Sequence, residues 1–128
     1  MKVRTILIVL LSCTWISSYA KETKRPAPTH VDIPYAEYGR TKIDFWQAEG
    51  KGARPIMVFI HGGGWSGGDK DKISTSEIEK YLTNGISVAS VGYRLLGTAI
   101  LPAPVHDAAR AIQFIRSKAK EWSIDKNR

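Results

Sequence analysis

His61-Gly62-Gly63-Gly64-Trp65 places a histidine and three consecutive glycines directly behind five apolar residues, Ile56–Ile60. Consecutive glycines let the backbone take dihedrals closed to other residues and come close to a ligand. Backbone N–H groups left unpaired in such a loop can point at a developing negative charge, which is the task of an oxyanion hole in acyl transfer. The unbroken apolar run ahead of the loop is the pattern of a central strand covered on both faces. A glycine-rich turn with no chemical task is the plainer reading of the same residues.

Acyl transfer of this kind also needs a nucleophile at a strand–turn–helix elbow, then an acid, then a histidine. Gly64-Trp65-Ser66-Gly67-Gly68 spells G-x-S-x-G, but Ser66 lies inside the glycine loop, well past Ile60, and no helical pattern resumes until about Ile73. One loop would have to supply both nucleophile and oxyanion donors, so Ser66 is rejected as the nucleophile. HGGG after a core strand resembles the oxyanion loop of α/β-hydrolases, in particular hormone-sensitive-lipase-like esterases and secreted carbohydrate-ester esterases. Ile43-Asp44-Phe45-Trp46 is similar to the L-D-x-Y stretch of those esterases, and Tyr93-Arg94-Leu95 to their Y-R-L. Pro102-Ala103-Pro104 with Asp107 and Trp122-Ser123-Ile124-Asp125 through Arg128 add weaker agreement. Leu96-Gly97-Thr98-Ala99-Ile100 departs from the family, which has a short acidic, Pro-containing loop there.

The resemblance implies that the N–H groups of Gly63 and Gly64 stabilise the oxyanion, with a third donor after a serine lying beyond Arg128. Each such donor is worth about 2.7–4 kcal/mol of barrier. It also implies that a Cβ in this loop would block the approaching acyl group. His61 is expected as a loop anchor rather than a base, and Gly62 as part of the same support. Trp65 is expected to plug the loop or wall the acyl pocket, and Asp69 to tie down the loop's end. The triad residues are all expected past Arg128, and no cofactor is implied. The implied partner is a small-molecule or carbohydrate ester. A non-catalytic protein that binds a small carboxylate or a partner through the glycine loop is the alternative.

The first twenty residues bear on location. Lys2 and Arg4, the apolar run Ile6–Leu11 and the closing Ser18-Tyr19-Ala20 have the form of a secretory signal peptide over residues 1–20. The expected location is therefore outside the cytoplasm, secreted or periplasmic. Leu10-Leu11-Ser12-Cys13 loosely resembles a lipobox, but Trp15 and Ile16 carry the apolar region past the cysteine. The apolar run is too short for a membrane span, which needs about twenty residues. Cys13 is the single cysteine, so the mature chain has no disulfide or thiolate ligand. His30, His61 and His106 lack metal-ligand spacing, and no metal site is expected. Net charge is +7, and removing Lys2 and Arg4 with the leader leaves +5. These charges are scattered rather than clustered among aromatics, which argues against a nucleic-acid partner.

The remaining sequence supplies the elements that must hold the loop. Lys21–Thr29, with two prolines, is expected as a flexible linker ahead of a domain over residues 30–128. Val31–Tyr35 and Lys42–Trp46 are expected as two edge strands around the turn Tyr38-Gly39-Arg40. Ile56–Ile60 and Ile86–Val91 follow as core strands, with a helix over Ser74–Thr83 between them that stops at Asn84-Gly85. A second helix is expected over Val105–Trp122, burying Val105, Ala108, Ala109, Ile112, Ile115, Ala119 and Trp122 on one stripe. Asp107 is expected to be a helix-start carboxylate rather than the triad acid. Together these give an α/β fold: the N-terminal part of an α/β-hydrolase sheet, an edge hairpin followed by parallel βαβα, incomplete and with an open parallel edge.

Overall fold

The computed structural model describes residues 24–128. The signal-peptide and lipobox readings, Cys13 included, lie outside the described residues. Four strands form one sheet: β1 (His30–Pro34), β2 (Lys42–Trp46), β3 (Ile56–Ile60) and β4 (Ser87–Val91). Their spatial order is β1-β2-β4-β3. β1 pairs antiparallel with β2, β2 antiparallel with β4, and β3 parallel with β4.

One correction to the sequence reading concerns strand placement. Only β1 is an edge strand of the hairpin, because β2 is enclosed between β1 and β4. β3 is covered on both faces as its composition requires, with Ile56 and Val58 on one side and Met57 and Phe59 on the other. Among the described residues β3 ends the sheet as the expected open parallel edge, and Ile60 is exposed. An apolar run encodes two covered faces; it does not encode how many neighbours lie in the plane of the sheet.

Helix α1 (Thr75–Thr83) makes the crossover from β3 to β4. Its start is set by Ser74, whose Oγ accepts from the Glu77 N–H while the Glu77 carboxylate accepts from the Ser74 N–H. This reciprocal pair satisfies two otherwise orphaned donors. α1 presents Ile78, with Ile73 just before it, to Trp46 and Val88 on one face of the sheet.

Helix α2 (Ala103–Ser117) covers the other face. Ala111 and Ile115 meet Tyr35, Ile43, Phe45, Ala89 and Val91, joined by Trp122 and Ile124. The expected boundaries and stripe both need correction. The helix ends at Ser117, and Trp122 is reached through a turn in which its N–H donates to Lys118 O at 2.8 Å. The buried face is Pro104, Asp107, Ala108, Ala111 and Ile115, whereas Val105 and Ile112 are exposed. Asp107 is four residues past the helix start, not at it, because α2 begins two residues earlier than the apolar spacing suggests.

Residues 24–29 are tied down rather than free. Arg25 donates to Ile73 O at 2.7 Å, and the Trp46 indole donates to Pro26 O at 2.8 Å. At the other end of the chain, Arg54 and Ile124 form a parallel bridge, and Ile56 N–H donates to Arg128 O at 3.1 Å. The last residues thus start alongside the outer edge of β3.

Candidate active site

In a parallel β3–β4 pair both strands finish at the same end, and β2, being antiparallel to β4, begins there. Three connections therefore meet at that end: the turn before β2, the glycine loop after β3 and the segment after β4. Such convergence at strand C-termini is where open α/β sheets hold ligands.

The glycine loop runs from His61 to Asp69. Ser66 N–H and Gly67 N–H both donate to Gly63 O, at 3.0 and 3.1 Å, which closes a tight turn. The turn needs backbone that side chains rarely adopt: φ is +119° at Gly63, +57° at Gly64 and +93° at Gly68, with Trp65 at +63°. A Cβ on Gly63 would collide with the Gly67 carbonyl, and one on Gly68 with Gly62 O and the His61 ring. At Gly62 and Gly64 a Cβ would meet nothing within 4 Å. At Gly63 and Gly68 the constraint among the described residues is the loop's contact with itself.

The amides of Gly63 and Gly64 are exposed and donate no hydrogen bond among the described residues. His61 lies beneath them, 3% exposed, its Nδ1 at 2.9 Å from Gly62 O. Its Nε2 has no hydrogen-bond partner among the described residues. The ring stacks on Tyr93 with centroids 4.2 Å apart, and the Tyr93 hydroxyl donates to His61 O at 2.6 Å. Burial pushes the Tyr93 phenol up from its ordinary pKa, so it remains a donor at neutral pH. Trp65 meets the other side of Tyr93 edge-on, and its carbonyl accepts from Leu96 N–H at 2.9 Å. Ser66 is exposed and its hydroxyl donates to Gly64 O at 3.3 Å, with no histidine or carboxylate on it among the described residues.

Charged residues fasten the far end of the loop, where Asp69 is expected but its partner Arg40 and the Lys70 cluster are not. Asp69 pairs with Arg40 at 3.0 Å. Lys70, in a single 3₁₀ turn at Lys70–Lys72, pairs with Asp44 at 2.6 Å and Asp32 at 3.1 Å. Burial lowers the Lys70 pKa, but the bonds to both carboxylates outweigh it and hold the ammonium above the usual lysine range. Ser90 Oγ donates to Lys70 O at 2.6 Å, fixing the turn to β4.

Asp107 is fully buried beneath the segment that follows β4. Its carboxylate takes a two-pronged bond from Arg94, 2.7 Å to each oxygen, plus the Arg94 N–H at 3.2 Å. Burial pushes this carboxyl up, yet the Arg94 bonds and charge prevail and hold it below the ordinary aspartate range. Asp107 is thus an ion-pair partner of Arg94 rather than a helix-start residue. Tyr38 lies flat under the guanidinium at 3.6 Å, a cation–π contact. The one sequence clue was the shared presence of Arg94 and Asp107, thirteen residues apart, which no local periodicity links.

Among the described residues, no three His, Asp or Glu side chains gather where they could hold a metal ion, and no helix is long and apolar enough to cross a membrane.

The family model BD-FAE matches residues 43–128, which takes in both the glycine loop and Tyr93-Arg94. This chain belongs to the BD-FAE family. Carboxylic ester hydrolase LipN of Mycobacterium tuberculosis is 35% identical to this BD-FAE chain over 104 residues, covering 75% of this chain and 27% of the relative. Neutral cholesterol ester hydrolase 1 of Mus musculus is 25% identical over 107 residues, covering 77% and 25%. The chain therefore spans about a quarter of the length of these curated relatives. Among solved structures, a bifunctional GH43-CE protein of Bacteroides eggerthii superimposes with a TM-score of 0.70 at 27% identity, over 77% of this chain and 14% of that one. A bacterial heroin esterase gives 0.66 at 27%, over 82% and 34%. The fold is that of the α/β-hydrolases, and the relatives are carboxylic ester hydrolases.

Proposed function

We propose that this chain carries the oxyanion side of a secreted serine carboxylic ester hydrolase. Gly63 and Gly64 would donate their N–H groups to the tetrahedral intermediate's oxygen. The observation that carries the reading is the pair of exposed, unengaged amides at the C-terminal end of β3, over a buried and braced His61. His61 then serves as an anchor: its ring is stacked and hydrogen-bonded to the loop's own backbone. Trp65 plugs the loop against Tyr93, Gly62 and Asp69 complete its two ends, and no metal or cofactor takes part.

The nucleophile belongs to the strand that would pair with the outer edge of β3. The contacts of Arg54 and Ile56 with residues 123–128 support this, since they set the chain running parallel to β3. The acid and the histidine would follow in that order. Substrates are small-molecule or carbohydrate esters, with sugar acetyl or feruloyl esters the first to try.

The test is to assay the full-length natural protein with short-chain aryl esters and acetylated or feruloylated sugars. The expectation is turnover that is lost when the serine of a G-x-S-x-G elbow following Arg128 is changed to alanine. Turnover that survives that change but is lost in Ser66→Ala would move the nucleophile into the glycine loop. A natural product without the elbow, soluble, monomeric and binding small carboxylates without turnover, would establish the non-catalytic alternative.

A further inference from the structure

Arg40 connects three segments that no local pattern relates. Its Nη2 donates to Gly68 O at 2.7 Å and pairs with Asp69 at 3.0 Å, and its Nε donates to Tyr93 O at 3.1 Å. Its own backbone sits close against Gly92, where a Cβ would come within 2.6 Å of Arg40 O. The planar guanidinium suits this work, because its donors leave in fixed directions and can serve two carbonyls and a carboxylate together.

Each of these contacts leads back to the oxyanion loop. Gly68 packs against both Gly62 O and the His61 ring, so holding Gly68 O also holds the base of the loop from its far side. Tyr93 supports His61 through its ring and its hydroxyl, and supports Trp65 by edge contact. Gly63 and Gly64 lie between the two braced ends. The ion pair with Asp69 is partly in water and contributes little alone. The bonds to two carbonyls are charge-assisted and directional.

We infer that Arg40, donated by the turn before β2, is a positioning residue that sets the Gly63 and Gly64 amides by clamping Gly68 and Tyr93. The inference rests on the proposed oxyanion role of those amides. Arg40 touches no reacting atom; it acts on where the donors point. Misplacing a preorganised group by about 1 Å can cost on the order of a hundredfold in rate.

The experiment uses the full-length natural protein as wild type, Arg40→Ala, Arg40→Lys and Asp69→Asn. Three quantities are read: kcat and KM on a short-chain ester, hydrogen exchange at the Ser66 and Gly67 amides that close the loop onto Gly63 O, and thermal stability. Arg40→Ala should lower kcat by roughly tenfold to a hundredfold with KM nearly unchanged, and should speed exchange at those amides above the rest of the sheet. Arg40→Lys should recover part of both, because an ammonium reaches one carbonyl but not two. Asp69→Asn, which leaves both carbonyl contacts of Arg40 in place, should lower kcat less than Arg40→Ala. Unchanged kcat and exchange in Arg40→Ala, or a loss shared evenly by every amide of the sheet, would overturn the inference. If Arg40→Ala does not fold, Arg40→Gln, which keeps one donor group, serves in its place. Absence of ester turnover in the wild type would defeat the functional reading alone, since exchange at Ser66 and Gly67 still decides whether Arg40 positions the loop.

Discussion

The Tyr93 ring lies nearly parallel to His61, 11° between planes, and its hydroxyl donates to the carbonyl of that same histidine. One residue of the segment after β4 thus fixes both the side chain and the backbone of the residue that follows β3 and opens the glycine loop. Because β3 and β4 are parallel neighbours, with Ile60 opposite Val91, the two following segments leave the sheet side by side. The sheet register is what brings Tyr93 over His61.

Tyr93→Phe separates the two contacts. The ring stack survives, and the His61 carbonyl loses its donor, which should cost about 1 kcal/mol of stability. Tyr93→Leu removes the stack as well and leaves a void over His61, and should cost about 3 kcal/mol. Chemical denaturation of the two variants checks the order. Equal losses would mean that the hydroxyl contributes all of the effect.

The glycines should separate in the same way. Gly63→Ala forces a Cβ against the Gly67 carbonyl at φ +119°, so the turn must open. In an active enzyme, that should lower kcat by about two to three orders of magnitude, the range for losing an oxyanion donor. Gly62→Ala meets nothing within 4 Å and should retain most activity. Kinetics on both variants decide it; a larger loss at Gly62 would mean that clearance for the acyl group governs the loop.

The sequence was a good guide wherever the information is local. β2 and β3 fall on the expected residues, since alternation and an unbroken apolar run are read from neighbouring positions. The place of β2 inside the sheet, the Arg40 clamp and the Lys70–Asp44 pair were not legible. Each joins residues far apart in the chain, and a solvated charge looks the same in sequence as a paired one. The stripe on α2 failed for a related reason. Val105 and Ile112 satisfy helical spacing, but Arg94 needs Asp107 facing inward, and that turns the helix so that Ala111 and Ile115 cover the sheet. At the glycine loop the residue types were informative, but the contacts that Gly63 and Gly68 make within the loop itself were not legible.

Export is tested by mass. Ser18-Tyr19-Ala20 fits a signal-peptidase site, so the mature protein should begin at Lys21. Intact-mass analysis of the native product reads this directly. A diacylglyceryl group on Cys13 would place the protein on a membrane instead.

Acid should act through Asp107. Its folded pKa lies below the ordinary value because the Arg94 bonds outweigh the cost of burial, so ionisation of this carboxyl favours the folded state. That contribution is complete above the unfolded aspartate pKa of about 3.9, and is lost as pH falls through the lower folded value. Asp107→Asn removes the charge and leaves Arg94 without its buried partner. The loss near neutral pH should be about 3 kcal/mol, the low end for a broken buried pair, because Arg94 keeps some contact with water. The gap between wild type and variant should hold steady from about pH 8 to pH 5 and narrow below about pH 4, where the unfolded wild-type chain takes up the proton first. Urea denaturation at a series of pH values measures the gap. A gap that instead widens on acidification would mean that Asp107 is protonated in the folded protein and donates to its surroundings.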